Sequence, residues 1–313
     1  MIKKAKKIRA KYKSFRPRIR SRHPSHSDLR SRNGQMLPLM PFRAVIRFGS
    51  KHEYSDTIEK GGDRVELNSV ESITNSSNKL LMKTCFTNDE VITPDWWTFK
   101  KSNDPMKKSY FAKNNDTNFQ LEILELPFPI ISKHIYGSRG VGNKKHNTLE
   151  ALTTWLESKN DTSKYIFEKY YSYNREYRLH ISENGCFYTC RKMLKTNTED
   201  KKRWYRNNDN CVWLLEDNPL FDRPVNWDNI VKECVKALKS IELDFGAVDL
   251  RIQSSKNKKE EVRDNPKFTI IEINSAPSFG DITKMKYINE IPKLLDAKWQ
   301  KILKQRREQL ELQ

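Results

Sequence analysis

The sequence predicts an α+β fold in which antiparallel strands share a polar face and an amphipathic helix feeds one of them. Leu243–Ile252 and Phe268–Pro277 are each rich in β-branched and aromatic residues and interrupted by polar ones, as half-buried strands are. Arg175, Tyr177, Leu179 and Ile181 alternate with Glu176, Arg178 and His180. Gly185 then turns the chain into Cys186–Met193, giving a hairpin with charges on one face. Ile230, Val231, Cys234, Leu238 and Ile241 recur at helical spacing, so residues 227–241 form a helix that runs into the strand carrying Asp249.

The other elements follow in chain order. Residues 1–35 hold 13 Lys/Arg against one acid, Asp28, which is +12 of the net charge of +19. Pro17 and Pro24 break any helix there and apolar residues are few, so residues 1–36 read as a basic, largely disordered tail. Such a tail binds nucleic acid or another polyanion, or serves only as a solubilising or targeting segment. Folded chain is expected from Leu37. Phe42–Phe48 reads as a strand closed by Gly49-Ser50, and residues 51–64 as a polar loop. Leu67–Met82 reads as a helix with Asn68 and Glu71 as a capping box and Asn78-Lys79 on or beside it. Ile92–Trp97 turns into a short strand, and the lysine-rich residues 100–118 form a surface excursion. Phe128–Ile135 is a strand containing Lys133. The run Gly137-Ser138-Arg139-Gly140-Val141-Gly142 follows, then the helix Leu149–Leu156. Glycines let backbone N–H groups approach an anion that a nearby lysine neutralises, so this order suits a phosphate cradle. A ligand-free hairpin or lid tip has the same signature. Neither the Gly-x-x-x-x-Gly-Lys-Ser/Thr loop nor a dinucleotide-binding glycine pattern is present. Tyr165–Tyr171 is another strand, with Glu168 inside it, and residues 286–312 read as a basic helix.

Composition narrows the classes. A chain of 313 residues, 36% hydrophobic and 32% charged, can hold two compact domains or one large multi-lobed one. No apolar run reaches the about 18 residues of a membrane span, and no apolar segment follows the basic N-terminus, so neither a span nor a secretory signal is expected. Five cysteines without Cys-x-x-Cys, and six scattered histidines, predict a reducing, cytoplasmic setting with no disulfide framework and no zinc site.

The chemistry concentrates on the two acid-bearing strands. Glu272 and Asn274 are two apart and project from one face, while Ile271 and Ile273 take the other. A buried sheet face does not carry a carboxylate and an amide unless something holds them. If the two strands pair, Asp249 joins the same side, and the oxygen-rich cluster suits Mg2+. Two amphipathic strands with a wet face would show the same spacing. Taken singly, Glu168, Glu176, Arg178, Arg191 and Lys192 read first as solvated or ion-paired strand charges.

From about Val65 to Pro277 the order of these motifs resembles the ATP-grasp ligases, which include glutathione synthetase, D-alanine–D-alanine ligase and the ribosomal-protein glutamate ligases. Asn68–Lys79 looks like the family's Asn-Lys segment, Phe128–Lys133 with Gly137–Gly142 its lid strand and flexible loop, and Phe167–Tyr170 its adenine-holding hinge. Arg175–Arg178 is similar to the strand whose acid meets the ribose. Asp249, Glu272 and Asn274 fall on its metal triad. The resemblance implies two antiparallel-sheet lobes gripping ATP, preceded by a truncated N-terminal α/β segment. Lys79, Lys133, Gly137, Ser138, Gly140, Gly142, Glu168, Lys169 and Glu176 would contact the nucleotide. Asp249, Glu272 and Asn274 would hold Mg2+ (or Mn2+), and Arg178, with Arg206 and Asn207 as further candidates, would orient the reacting groups.

The implied reaction joins a carboxylate to an amine or similar nucleophile through an acylphosphate, with an amino acid or a protein as the acceptor. The rival readings are a kinase on the same fold and a basic nucleic-acid-binding protein with a vestigial nucleotide site. The implied division is a tail at 1–36, a truncated segment with the central helix at 37–98, a lid lobe at 99–165, and a catalytic lobe at 166–313 that includes the C-terminal helix. The chain departs from the family pattern in its short N-terminal segment, in a basic insertion at Ser254–Pro266 expected as a long hairpin tip, and in the basic lid residues Arg139, Lys144 and Lys145.

Overall fold

The computed structural model describes residues 15–21, 29, 37–52, 64–101, 110–113, 120–122, 126–138, 140–207, 209–254 and 259–311. The chain divides into two units, residues 1–68 with 278–313, and residues 69–277.

In the first unit, β1 (Arg18–Ser21), β2 (Arg43–Phe48) and β3 (Arg64–Leu67) form a three-stranded parallel sheet in that order. All of β2 except Arg43 is buried, the near-continuous pattern of a parallel strand covered on both faces. Its one buried charge, Arg47, donates to both carboxylate oxygens of Glu66 at 2.8 and 3.3 Å. The C-terminal helix α6 (Asp281–Glu311) buries Tyr287, Ile291, Leu294 and Leu295 in this unit. Phe48 meets Tyr287 edge-on at 5.9 Å, and Phe42 stacks on Trp299 at 4.8 Å.

Four sequence expectations are corrected here. Residues 1–36 are not a tail throughout, because Arg18–Ser21 is a sheet strand with Ile19 6% exposed, and Leu29 is also buried. The remaining expected tail, 1–14, 22–28 and 30–36, lies outside the described residues. The expected loop 51–64 ends in the first residue of β3, and its residues 53–63 lie outside the described ones. Asn68 does not cap a helix. It takes a left-handed φ of 58° and donates to the Arg47 carbonyl oxygen. The C-terminal helix groups with the N-terminal sheet rather than with the catalytic lobe.

The second unit opens with α1 (Val70–Ser77), capped by Ser69, whose hydroxyl accepts from the Ser72 amide. Asn78 interrupts the expected single helix. It is extended, and its side chain accepts from the Leu80 and Leu81 amides to start α2 (Lys79–Asn88). Then come β4 (Trp96–Lys101), β5 (Tyr110–Lys113), β6 (Gln120–Glu122), β7 (Ile130–His134), β8 (Lys144–His146), α3 (Leu149–Glu157) and β9 (Tyr165–Lys169). These strands form an antiparallel sheet in the order β6-β5-β4-β9-β7-β8. The expected surface excursion at 100–118 therefore carries β5 and the end of β4. Trp97, Phe99, Ile130, Leu152, Trp155 and Phe167 make this lobe's core.

The chain continues through β10 (Arg175–Ser182), β11 (Gly185–Leu194), β12 (Cys211–Leu215), α4 (Trp227–Ser240), β13 (Phe245–Ile252), the short α5 (Glu260–Asp264) and β14 (Phe268–Asn274). The second sheet is antiparallel in the order β12-β11-β10-β13-β14. One face carries Tyr177, Leu179, Val248, Leu250, Ile270 and Ile273, packed with Met82 and Phe86 of α2 and Ile230, Cys234 and Leu238 of α4. The opposite face carries the charges. Where a hairpin tip was expected at 254–266, residues 259–264 turn into α5, and 255–258 lie outside the described residues.

All five cysteines are free thiols. Among the described residues no helix is long and apolar enough to cross a membrane.

Candidate active site

The polar face of the five-stranded sheet is a charge network made by strand register. Glu176 pairs across from Lys192 on β11 and from Arg251 on β13, and Arg178 pairs across from Asp249. Lys192 donates to Glu176 and to Asp249 at 3.0 Å each. Arg251 donates to Glu176 at 3.0 Å. Arg178 grips both oxygens of Asp249 at 2.8 Å, the bidentate geometry that suits a guanidinium. All of these groups are buried or nearly so, and buried charges persist only when paired. Burial alone would raise the Asp249 carboxyl, but Arg178 and Lys192 hold it well below the ordinary carboxylate range. Burial works the same way on Glu176, and Lys192 and Arg251 outweigh it. Burial would lower Lys192, but Asp249 and Glu176 raise it.

On the next strand Glu272 lies directly across from Asp249. The Asn274 amide nitrogen is 3.4 Å from an oxygen of each carboxylate. The three expected metal ligands are therefore together. Among the described residues no group of three His, Cys, Asp or Glu side chains is placed to hold a metal, so a cation here needs the Asn274 amide oxygen. Two carboxylates and an amide are the oxygen donor set that Mg2+ takes, and rotating the amide turns that oxygen toward them. The residues fit the ion. One expectation is corrected at this point. A register shift opposite Asp249/Leu250 leaves Ile271 as an extra residue in β14. Ile271 faces the cleft instead of joining Ile273 in the core.

The six-stranded sheet supplies the other wall. Lys133 on β7 donates to Glu168 on β9 at 2.6 Å. Lys83 on α2 is fully buried 3.6 Å from Glu168 and also bonds the Thr93 hydroxyl. Burial pushes the Lys83 amine down to about 8, with Lys133 adding to the effect and Glu168 opposing it. Burial would raise Glu168, but Lys133 and Lys83 hold it below its ordinary value. The first residue of α2, Lys79, bonds the Gly137 carbonyl through Nζ and lies 3.7 Å from Glu272. Its backbone amide donates to the Ile135 carbonyl. The Asn78 cap thus places Lys79 between the glycine loop and the metal candidates. Gly140 and Gly142 have φ of 72° and 76°, left-handed values at which other residues are strained.

Most of these groups line one cleft, with Arg178, Asn274 and Lys83 adjoining its lining residues rather than lining it themselves. Lys79, Lys133, Lys169, Lys192, Arg206 and Arg251 face Glu168, Glu176, Asp249 and Glu272, six cations against four anions. Gly137, Gly140, Ile131, Tyr170, Tyr171 and Ile271 are among its other lining residues. The ion pairs close across it and leave about 110 Å3. Of the remaining predicted residues, Arg206 reaches the cleft, donating to the Asn174 carbonyl and lying 3.6 Å from Glu176. Asn207 does not line it; its side-chain oxygen accepts from the Asp209 and Asn210 amides. Ser138 is exposed and Gly142 lies away from the lining, while Arg139 is outside the described residues.

Sequence reasoning missed three members. Lys192 was legible once the hairpin was paired about Gly185, and Arg251 sits two residues from Asp249 on the same face. Lys83 had no signal, because a lysine on an amphipathic helix ordinarily faces water.

No protein-family model and no curated protein matches this chain. Among solved structures it is similar to D-alanine–D-alanine ligase from Bacillus anthracis complexed with ATP, at 16% identity over 92% of this chain and 86% of that one, with a TM-score of 0.52. A second structure of that ligase gives a TM-score of 0.53 at the same identity and coverage. At this identity the likeness concerns the fold, and it agrees with the two antiparallel sheets and the short parallel sheet described above: this chain has the α+β ATP-grasp fold of D-alanine–D-alanine ligase.

Proposed function

We propose that this protein is an ATP- and Mg2+-dependent ligase that joins a carboxylate to an amine through an acylphosphate. The observation that carries this reading is the cleft's surplus of cations beside a cluster of two carboxylates and an amide. A site whose buried cations outnumber its anions favours a polyanion, and a triphosphate supplies the missing negative charge. The fold shared with D-alanine–D-alanine ligase agrees with it.

In this reading Lys79, Lys133 and the backbone of the glycine loop take the phosphates, and Glu176 and the 168–171 segment take the nucleoside. Asp249, Glu272 and Asn274 would hold Mg2+ (or Mn2+), which supplies charge neutralisation at the β- and γ-phosphates. The cleft as it stands is smaller than the about 300 Å3 of the smaller ligand pockets. Nucleotide entry therefore separates the Lys79–Gly137 contact and loosens Lys133 from Glu168. The substrate carboxylate oxygen attacks the γ-phosphorus, the bond to the β-bridging oxygen breaks, and ADP leaves. The amine nitrogen then attacks the acyl carbon, phosphate departs with the C–O electron pair, and the nitrogen loses a proton. Arg178, fixed by Asp249, orients the carboxylate or the developing phosphate. The closed glycine loop keeps water from the acylphosphate.

Incubation with Mg-ATP and mixtures of amino acids and peptides tests this. The expected product has the summed mass of two substrates less one water, formed one-to-one with ADP and free phosphate. A phosphorylated product without free phosphate would assign a kinase instead.

A further inference from the structure

A second cavity of about 520 Å3 shares Lys169 and Tyr171 with the cleft but is otherwise lined by different residues, among them Tyr173, Asn226, Lys267 and Thr269. Its size falls in the about 300–1,000 Å3 range of small-molecule pockets. Two of its lining side chains carry buried polar atoms with no partner among the described residues, the Thr269 hydroxyl and the Asn226 amide oxygen. Thr269 is only 2% exposed. The Asn226 amide orientation is fixed, because its nitrogen donates to the Asn265 side-chain oxygen at 3.0 Å and to the Pro266 carbonyl at 3.1 Å. Its oxygen is therefore left as an acceptor facing no donor. Buried groups of this kind are ordinarily satisfied, and those that are not call for a ligand or water.

The rest of the lining says what kind of ligand. Tyr171 and Tyr173 present two tilted rings with centroids 5.3 Å apart, a surface for a flat π-face. Ile92, 46% exposed, and Phe268 add apolar area. Lys169 and Lys267 supply positive charge. Lys169 is already 3.6 Å from Asp95, which leaves Lys267 as the cation for an anionic group. An acceptor-only Asn226 oxygen asks for an N–H on the ligand's edge, and the Thr269 hydroxyl can donate to or accept from the atom beside it.

We propose that this cavity is a second ligand site, separate from the phosphate cleft, for a planar nitrogen heterocycle carrying an anionic group, of which a nucleoside monophosphate is the simplest example. The inference does not depend on what reaction the cleft performs.

Calorimetric titration of the full chain with AMP, GMP and UMP tests it, with the corresponding nucleosides, inorganic phosphate and phenylpropionate as controls. The expected result is saturable binding of at least one monophosphate below about 1 mM that depends on Thr269 and Lys267, apart from any binding in the phosphate cleft. Thr269→Val and Lys267→Glu should each weaken it about tenfold, the scale of one lost hydrogen bond or charge contact. Lys133→Ala should leave it unchanged. Thr269→Val should also raise the melting temperature of the ligand-free protein, because it deletes a buried unpaired hydroxyl, and Lys267→Glu alters an exposed residue that folding does not need. The proposal is overturned if no monophosphate saturates, or if binding is lost in Lys133→Ala but kept in Thr269→Val and Lys267→Glu. It is also overturned if phenylpropionate binds as tightly as the monophosphates.

Discussion

Asp249 and Glu272 are proposed to do the same chemical job, yet the structure gives them very different structural roles, so their amide variants separate catalysis from stability. Asp249 accepts from Arg178 twice, from Lys192 and from Asn274, inside a buried network. Asp249→Asn leaves Arg178 facing a neutral amide and Lys192 with Glu176 as its remaining anion. Breaking a buried ion pair on one side costs about 3–5 kcal/mol. At about 2–4 °C per kcal/mol for a unit of this size, melting should fall by roughly 6–20 °C. Glu272 has a side chain 29% exposed, with Lys79 at 3.7 Å as its ionic neighbour, so Glu272→Gln should cost no more than about 1 kcal/mol. If both carboxylates hold the metal, each variant should still lose about 100-fold in ATP turnover, the scale of losing one preorganised electrostatic element. Thermal melts and a coupled ADP-release assay read the two effects separately. Near-normal turnover in folded Glu272→Gln would refute the metal assignment, and an unchanged melting temperature in Asp249→Asn would refute the charge network.

Four more expectations follow. Lys133→Ala should weaken ATP binding more than adenosine binding, because its proposed ligand partner is phosphate; equal losses by calorimetry would mean the lysine acts only through Glu168. The folded-state Asp249 carboxyl lies below its unfolded value of about 3.9, so its contribution is complete above that pH and is lost as pH falls through the folded value. Denaturation midpoints from pH 6 down to 2 should therefore fall less steeply in Asp249→Asn than in wild type. Lys83 is also held below its unfolded value, so its slope has the same sign in a more alkaline window. Its amine titrates near 8 when folded and near 10.5 when unfolded, so wild-type stability should rise between those values relative to Lys83→Met, and parallel curves would contradict its burial beside Glu168. Finally, deleting residues 1–14 removes seven of the basic residues without touching β1. If that segment binds nucleic acid, engaging four of them contributes about −3 to the slope of log K against log salt for a single strand, which the deletion should abolish while leaving Mg-ATP binding unchanged.

The local elements of the second unit were legible in the sequence because their signals are local. Alternation around Gly185 gave the β10–β11 hairpin, and helical spacing from Ile230 to Ile241 gave α4. The two-residue spacing of Glu272 and Asn274 placed both on the cleft side of β14, with Asp249 conditional on the strand pairing that the structure then showed. The short polar segments were less legible. Asn78 looked like a residue within a helix, but its side chain caps the next one, and Arg18–Ser21 looked like part of a charged tail because four residues of strand pay no compositional signal.

What the sequence determined by itself was the order of the elements and the residues available to a phosphate and a cation. Tertiary structure decided which of those residues meet. Register alone brought Lys192 and Arg251 to Glu176 and closed Arg178 on Asp249, and an extra residue in β14 turned Ile271 out of the core. Packing of α2 against the sheet drove Lys83 into a fully buried position beside Glu168. Apart from the Glu176–Lys192 pair, which the hairpin about Gly185 makes local, these outcomes depend on contacts between residues far apart in the chain, so no local pattern encodes them. The same holds for the unpaired Thr269 hydroxyl, on a residue that lines one cavity with Ile92 and Tyr173 from distant segments.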